Sequence, residues 1–479
     1  MEVAQDSPLS KPGTKWLGDI RFWILLFFVL RLYGITNAPL EVGHNWRQAL
    51  TNMIARNFLQ IDNNIFFPRI DVYGDRPGIM ATEFPFFNYL IYIASKIFGY
   101  AHWYGRLINL VVSSFGVYYF FRIVKRFLSP SLAFYSALIL LCSLWFSFSR
   151  KSMPDTFCIS LMFVGMFHGL EYLYDKRFWR LFPFFFFCTL GVLCKIPAIY
   201  LMIVFILPML DHKVAWKERI FIVLTGVILL MIIGWWYFYW DPYLLKAYGV
   251  QLYFPRSIPD GFKELLEYGA GTLEKFYFTA LESFIAFALF LAGLFLVVKK
   301  NEKVPQRVFM LCTVIFILFI CKTGFVFSTH SYYVIPFVPV MALIAAYALN
   351  AITNRTIRNI VIAAVMLESI LNQQNDFRID ASERYKESME AMADKFSAKK
   401  DLVVINGTQN PQQIYFLNRR GWSVGQDKIT DARFIDSLKH EGCKFMVINL
   451  HTDPGPSIHK IADKEVFRDR DFVVYSLLH

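Results

Sequence analysis

Between Glu41 and Pro85 the chain gathers residue types that move protons and hold anions. Glu41, His44 and Arg47 follow one another at intervals of three, and Glu83 stands just before Phe84-Pro85. A second set is scattered through apolar surroundings: Arg106, Arg150-Lys151, Asp155, Lys195, Lys322 and His330. Charge in an apolar setting is costly and marks a functional position by default. Lys195 falls in a tight connection between two apolar runs. A lysine there either snorkels to the membrane surface or meets a ligand of negative charge, most simply a lipid phosphate.

The elements that must carry these groups are membrane spans. The chain has 479 residues, of which 56% are hydrophobic and 18% aromatic. Its apolar runs approach the ~20 residues that a bilayer-crossing helix needs. Fifty Phe and eleven Trp suit lipid-facing surfaces and interfacial belts. The spans are placed at Ile20–Ile35, Trp103–Val124, Leu128–Phe148, Pro154–Tyr174, Phe178–Cys194, Ile196–Leu210, Ile220–Trp240, Phe276–Val298, Val308–Cys321, Tyr332–Leu349 and Ile357–Leu371. That is about eleven. The first is read as a retained helix, since no small-residue cleavage site follows it.

The net charge of +12 is no sign of nucleic acid. Lys125-Arg126, Asp175-Lys-Arg177, Lys217-Glu-Arg219, Lys299-Lys300 and Arg355 to Arg358 are connections on one side, as the positive-inside rule requires of cytoplasmic loops. They fall on one side only if Phe84–Tyr100 does not cross the bilayer. That segment is expected to be juxtamembrane or re-entrant, with the N-terminus inside and the C-terminus outside. Six of the seven cysteines lie in apolar spans, so no disulfide framework is expected.

From His44 to Gln60, Trp46, Leu50, Met53, Ile54 and Phe58 share one helical face, with Arg47, Gln48, Thr51, Asn52 and Arg56 on the other. This predicts an interfacial amphipathic helix. Past residue 371 the composition turns soluble. Strands at Leu402–Ile405, Phe445–Ile448 and Phe472–Tyr475 alternate with helical patterns at Glu383–Lys399, Pro411–Asn418 and Asp431–His440. That alternation argues for a small α/β domain. Asn406-Gly407-Thr408 is a weak ligand-turn signal. No zinc spacing, Walker loop or G-x-G-x-x-G is found. The expected organisation is a transmembrane domain over 1–371, whose outer loop 37–102 carries the active site, and an outer-face α/β domain over 372–479.

One span followed by a long outer loop with an acid near its start and an amphipathic helix resembles the GT-C glycosyltransferases, which include protein O-mannosyltransferases and the aminoarabinose transferase of lipid A. The resemblance runs through Glu41-x-x-His44-x-x-Arg47, Glu83-Phe-Pro85, Arg106, Met153-Pro154-Asp155, Lys195-Ile-Pro197 and His330-Ser-Tyr-Tyr333-x-x-Pro336. It implies a polytopic α-helical GT-C fold with juxtamembrane helices. It also implies sugar transfer from a polyprenyl-phosphate donor to a lipid, glycan or protein acceptor, on the periplasmic face of a bacterial inner membrane. Glu41, His44 and Asp155 are then the candidate catalytic groups. Arg47, Arg150, Lys195, Lys322, His330 and Tyr333 are candidates for the donor phosphate, and Glu83, Arg106 and Tyr332 for the acceptor or a supporting role. The family usually has Asp where this chain has Glu41 with His44 three residues on, so both remain candidate bases. No cofactor is assigned, and a divalent metal shared by Glu83 and His44 stays open. Two alternatives are a flippase for a lipid-linked sugar, against which the lack of an internal repeat counts, and a glycan ligase or polymerase.

Overall fold

A computed structural model describes residues 15–251, 255–408, 410–452 and 464–477. Two compact units are formed: residues 1–35, 106–240 and 253–377 in the first, and 36–105, 241–252 and 378–479 in the second.

The first unit is a helical membrane bundle. Long apolar runs give helices sufficient to cross a bilayer at Tyr104–Phe127, Pro154–Asp175, Lys303–Thr323 and Ser331–Ala351, and a fifth runs over Trp216–Tyr248. Shorter apolar helices include Pro130–Cys142, Phe178–Cys194 and Ile196–Met209. Val223, Leu224, Val227, Ile228, Leu230 and Met231 of the fifth helix are exposed. Such a stripe is the lipid-facing side of a span. Inside the bundle, Gly293 allows close helix packing: a Cβ there would stand 2.0 Å from the Ile344 carbonyl oxygen.

The sequence predicts one uninterrupted span over Phe276–Val298. The structure corrects this, since helix Gly269–Thr279 and helix Phe284–Lys299 meet at 92°. The break has local causes. Glu282 takes a left-handed conformation at φ 52°, and the Ser283 hydroxyl caps the second helix by accepting from Ala286 N at 3.0 Å. Glu368, from helix Arg355–Asn372, accepts the Phe284 and Ile285 N–H groups, each at 3.2 Å. An acid is stabilising at such a helix N-terminus.

The second unit joins the long first loop to the C-terminal sheet. Strands β1 (Leu402–Ile405), β2 (Arg420–Ser423), β3 (Cys443–Asn449), β4 (Lys464–Arg468) and β5 (Phe472–Ser476) lie in the order β2-β1-β3-β5-β4. β1 is parallel to β2 and β3, while β5 is antiparallel to β3 and β4. Both edges are protected. Gly421 N of β2 donates to Asp71 O and Gly74 N donates to Gly421 O, both at 2.9 Å, so the first loop covers that edge. β4 is exposed and carries Lys464, Glu465 and Arg468, charges that oppose pairing with another chain.

The predicted helix of the first loop forms over Asn45–Gln60, but its setting differs from the interfacial one expected. Gln48 through Phe58 are all buried, the polar side included. Leu50, Met53, Ile54 and Phe58 enter a core with Ile405, Ile414, Phe416 and Val447. On the other side Arg56 pairs with Asp71 at 3.1 Å and donates to the Tyr415 carbonyl at 2.8 Å. Asn57 donates to Asp71 at 2.9 Å. Such partners hold these polar groups in a buried setting. Helix Phe86–Phe98 also belongs to this unit. At ~1.5 Å per residue its 13 residues reach about 20 Å, short of the ~30 Å hydrocarbon core.

Candidate functional site

In the membrane unit the chemistry is organised by the start of helix Pro154–Asp175. Pro154 opens it, where a missing N–H costs nothing, and Asp155 follows in the first turn, favoured by the helix dipole. The residues before it are fixed from below by Asn109. Its Nδ2 lies 3.0, 2.9 and 3.1 Å from the carbonyls of Phe148, Lys151 and Met153. Its Oδ1 accepts from Ser113 at 2.8 Å and Thr156 at 3.0 Å.

Lys195 reaches Asp155 from the end of helix Leu181–Cys194. That helix stops because Pro197 has no N–H for the Leu193 carbonyl. The Tyr237 hydroxyl supplies the missing donor at 2.8 Å. Lys195 is therefore extended, and its ammonium forms an ion pair with Asp155 Oδ1. The same ammonium lies 4.5 Å from the centre of the Tyr332 ring and 5.7 Å from that of Tyr333. Aromatic faces stabilise a desolvated cation. His330 completes the group, 5.4 Å from Tyr332 between ring centres. Its pKa is lowered, mainly by burial, against a hydrogen bond with the Val326 carbonyl, with Lys195 and Lys275 adding to the lowering. Asp155 is 4% exposed, and its Oδ2 has no hydrogen-bond partner among the described residues. A buried carboxylate oxygen left without a partner, beside a paired cation, offers an acceptor to a hydroxyl.

The other candidates of this unit are placed differently. Lys322 is exposed in the last turn of its helix, and its ammonium makes no ion pair with Asp155. Arg150 is fully buried. It donates to the carbonyls of Arg31 at 3.0 Å and Tyr33 at 2.9 Å and lies 4.4 Å from the Phe377 ring centre. Arg106 donates to the Gly34 carbonyl at 3.4 Å. Both arginines thus satisfy carbonyls at or just beyond the end of the first helix, Ile20–Arg31, a favourable place for cations.

In the second unit, Glu41 is fully buried and accepts from Asn37 Nδ2 at 3.1 Å. It is held by a bridge to Ile379, and the neighbouring Val42 N donates to Arg378 O at 3.0 Å. Gly43 and His44 then both take positive φ, 81° and 56°. That reversal turns the chain into helix Asn45–Gln60, with the His44 side chain giving no cap. Arg47 holds both oxygens of Glu83 at 3.1 Å, and the Thr82 hydroxyl donates to Glu83 at 2.7 Å. Sequence reasoning passed over Asp241, a buried carboxylate that receives the Thr82 N–H and feels the Glu83 charge. Its Oδ1 has no partner among the described residues. The signal available was an acid immediately after an aromatic run. Among the described residues no three His, Cys, Asp or Glu side chains converge as a metal site.

At the carboxyl ends of the sheet, Asn406 is spent on structure. Its Oδ1 accepts Asn449 N at 2.6 Å and its Nδ2 donates to Asn449 O at 3.1 Å, closing the crevice between β1 and β3.

These observations meet a family model and solved structures. The model for dolichyl-phosphate-mannose-protein mannosyltransferases matches residues 75–238. ArnT from Cupriavidus metallidurans in the apo state superposes with a TM-score of 0.64 at 12% identity, over 96% of this chain and 98% of ArnT. The same protein bound to undecaprenyl phosphate gives 0.63 at 12% identity, over 95% and 98%. The archaeal oligosaccharyltransferase AglB from Archaeoglobus fulgidus, in complex with an inhibitory peptide and a dolichol-phosphate, gives 0.55 at 12% identity, over 91% of this chain and 70% of AglB. A search of curated protein sequences gave no match. The chain shares the fold of these solved structures: an integral membrane helical bundle with a small C-terminal α/β sheet.

Proposed function

We propose that this protein transfers a sugar from a polyprenyl-phosphate donor to a lipid, glycan or protein acceptor, at the outer, periplasmic face of a bacterial inner membrane. The observation that carries this reading is the buried Lys195–Asp155 pair, with Tyr332, Tyr333 and His330 around the ammonium. It stands in a fold shared with a protein solved bound to undecaprenyl phosphate.

The acceptor hydroxyl oxygen attacks the anomeric carbon while the bond from that carbon to the phosphate oxygen breaks. The electron pair leaves with the polyprenyl phosphate, and the hydroxyl proton passes to a protein base. Lys195 and the aromatic groups around it stabilise the leaving phosphate, as preorganised charge does in other group transfers. Glu41 is the proposed base and His44 the alternative, each a group suited to take a proton. Asp155, with Oδ1 occupied by Lys195, has a buried, unpaired Oδ2 to orient a hydroxyl.

Purified protein incubated with labelled polyprenyl-phosphate sugars and candidate acceptors tests the proposal. Labelled product with free polyprenyl phosphate supports it. Movement of intact donor across vesicles without turnover would establish the flippase reading instead.

A further inference from the structure

We infer that Lys275 is a second cationic ligand for the phosphate of the donor lipid, working from a break in a membrane helix. The inference rests on the donor reading above and adds a residue that the sequence did not single out.

Lys275 opens a π-helical turn, Lys275–Thr279, at the end of the first half of the bent helix pair. Such turns are rare and concentrate at functional sites, since they spread the backbone and redirect side chains. The lysine is buried, at 8% exposure. Among the described residues no carboxylate pairs with its ammonium within the 4.0 Å that defines an ion pair. A largely enclosed lysine whose ammonium has no paired anion favours a ligand that brings negative charge.

The turn faces the proposed phosphate group. Phe276, the next residue, packs on Phe327 at 5.7 Å and Phe337 at 6.2 Å between ring centres. Those two rings bracket the segment carrying His330, Tyr332 and Tyr333. Lys275 and Lys195 both act electrostatically on His330. Lys195 already has Asp155 as its counter-charge. The acid that Lys275 influences is Glu282, on the far side of the helix break, which also feels Asp376, Glu274 and Lys151. Asp376 is itself paired with Lys151 at 3.6 Å. A tetrahedral phosphate can accept hydrogen bonds from two lysines at once, which a single ammonium cannot fully satisfy.

The test measures binding of undecaprenyl phosphate to the full-length protein in nanodiscs by native mass spectrometry, with melting temperature followed in parallel. Lys275→Gln is expected to weaken binding roughly 10- to 100-fold, the range for losing one charge-assisted hydrogen bond. Lys275→Arg should restore most of it. Glu282→Gln should bind at least as tightly as the wild type, because it removes a competing negative charge. Undiminished binding by Lys275→Gln, in a wild-type background that binds and transfers, overturns the role of Lys275 alone. Equal loss in Lys275→Gln, Lys275→Arg and Glu282→Gln with a common fall in melting temperature would also overturn it, by showing a structural effect. Failure of the wild type to bind or transfer would remove the donor reading and this inference with it. Displacement by millimolar inorganic phosphate, with no preference for the lipid, would overturn the lipid assignment and leave a site for free phosphate.

Discussion

Lys195 and Asp155, 40 residues apart in the chain, form a buried ion pair in which one oxygen of Asp155 is engaged and the other, also buried, has no hydrogen-bond partner among the described residues. The pair fixes the ammonium against Tyr332 without using up the carboxylate. Lys195→Ala should therefore weaken polyprenyl-phosphate binding by roughly 1.5–3 kcal/mol, as expected for a charge-assisted hydrogen bond. Native mass spectrometry against the wild type reads this directly. Unchanged affinity would remove Lys195 from the donor site.

Glu41→Gln should keep the fold, since a carboxamide can still accept from Asn37, and should reduce turnover by roughly 10²–10⁴. His44 needs a more careful variant. Its φ of 56° is strained for a residue with a Cβ, so His44→Ala combines loss of the imidazole with a poor backbone fit. His44→Gly isolates the imidazole and should retain stability. Near-normal turnover in Glu41→Gln with loss in His44→Gly would transfer the role of base to the histidine.

Asp71→Ala should destabilise the second unit by about 3–5 kcal/mol, because it leaves the buried Arg56 without a counter-charge. Asp71→Asn should cost less, as it keeps an acceptor for Asn57. Thermal unfolding of the two variants, ranked in that order, is the check. Equal melting temperatures would show that Arg56 is neutralised by other groups.

His330 makes a pH-dependent contribution of known sign. Its pKa is lowered in the folded protein, first by burial, then through Lys195 and Lys275 against the opposing Val326 bond. The unfolded chain therefore binds a proton more readily, starting at about pH 6.5. The stability contribution is full above that pH and is lost as pH falls below it toward the folded value. His330→Gln should flatten this part of a melting-temperature profile. A profile identical to wild type between pH 7 and 5 would exclude His330 as its source.

Composition and periodicity carried the membrane class, the α/β character of the C-terminal part and helix Asn45–Gln60. They could not carry partners far apart in sequence. Arg56 and Asn57 look like a solvated face because Asp71 and Tyr415 lie elsewhere in the chain. β2 was missed because it is only four residues long and includes Gly421, a poor strand former, and β4 because its exposed edge position selects the charges Lys464, Glu465 and Arg468. The helix break at Glu282 was hidden inside an apolar run, since the Ser283 cap is reinforced by Glu368, more than 80 residues later. Asp155 and Lys195 stood out by type, as charges among apolar neighbours. Their pairing, and the Asn109 bonds that seat the loop before Asp155, exist only in three dimensions.

The bond from Arg56 to Tyr415 spans 359 residues, and this sets a clock on biosynthesis. At ~5–20 residues per second the first loop waits about 20–70 s after emerging before the strand-edge and core contacts it needs have been made by the ribosome. During that interval Leu50, Met53, Ile54 and Phe58 have no sheet to cover them. The unfinished chain must pass this period with the apolar side of that helix uncovered, so maturation of the second unit waits for strands made more than 350 residues later.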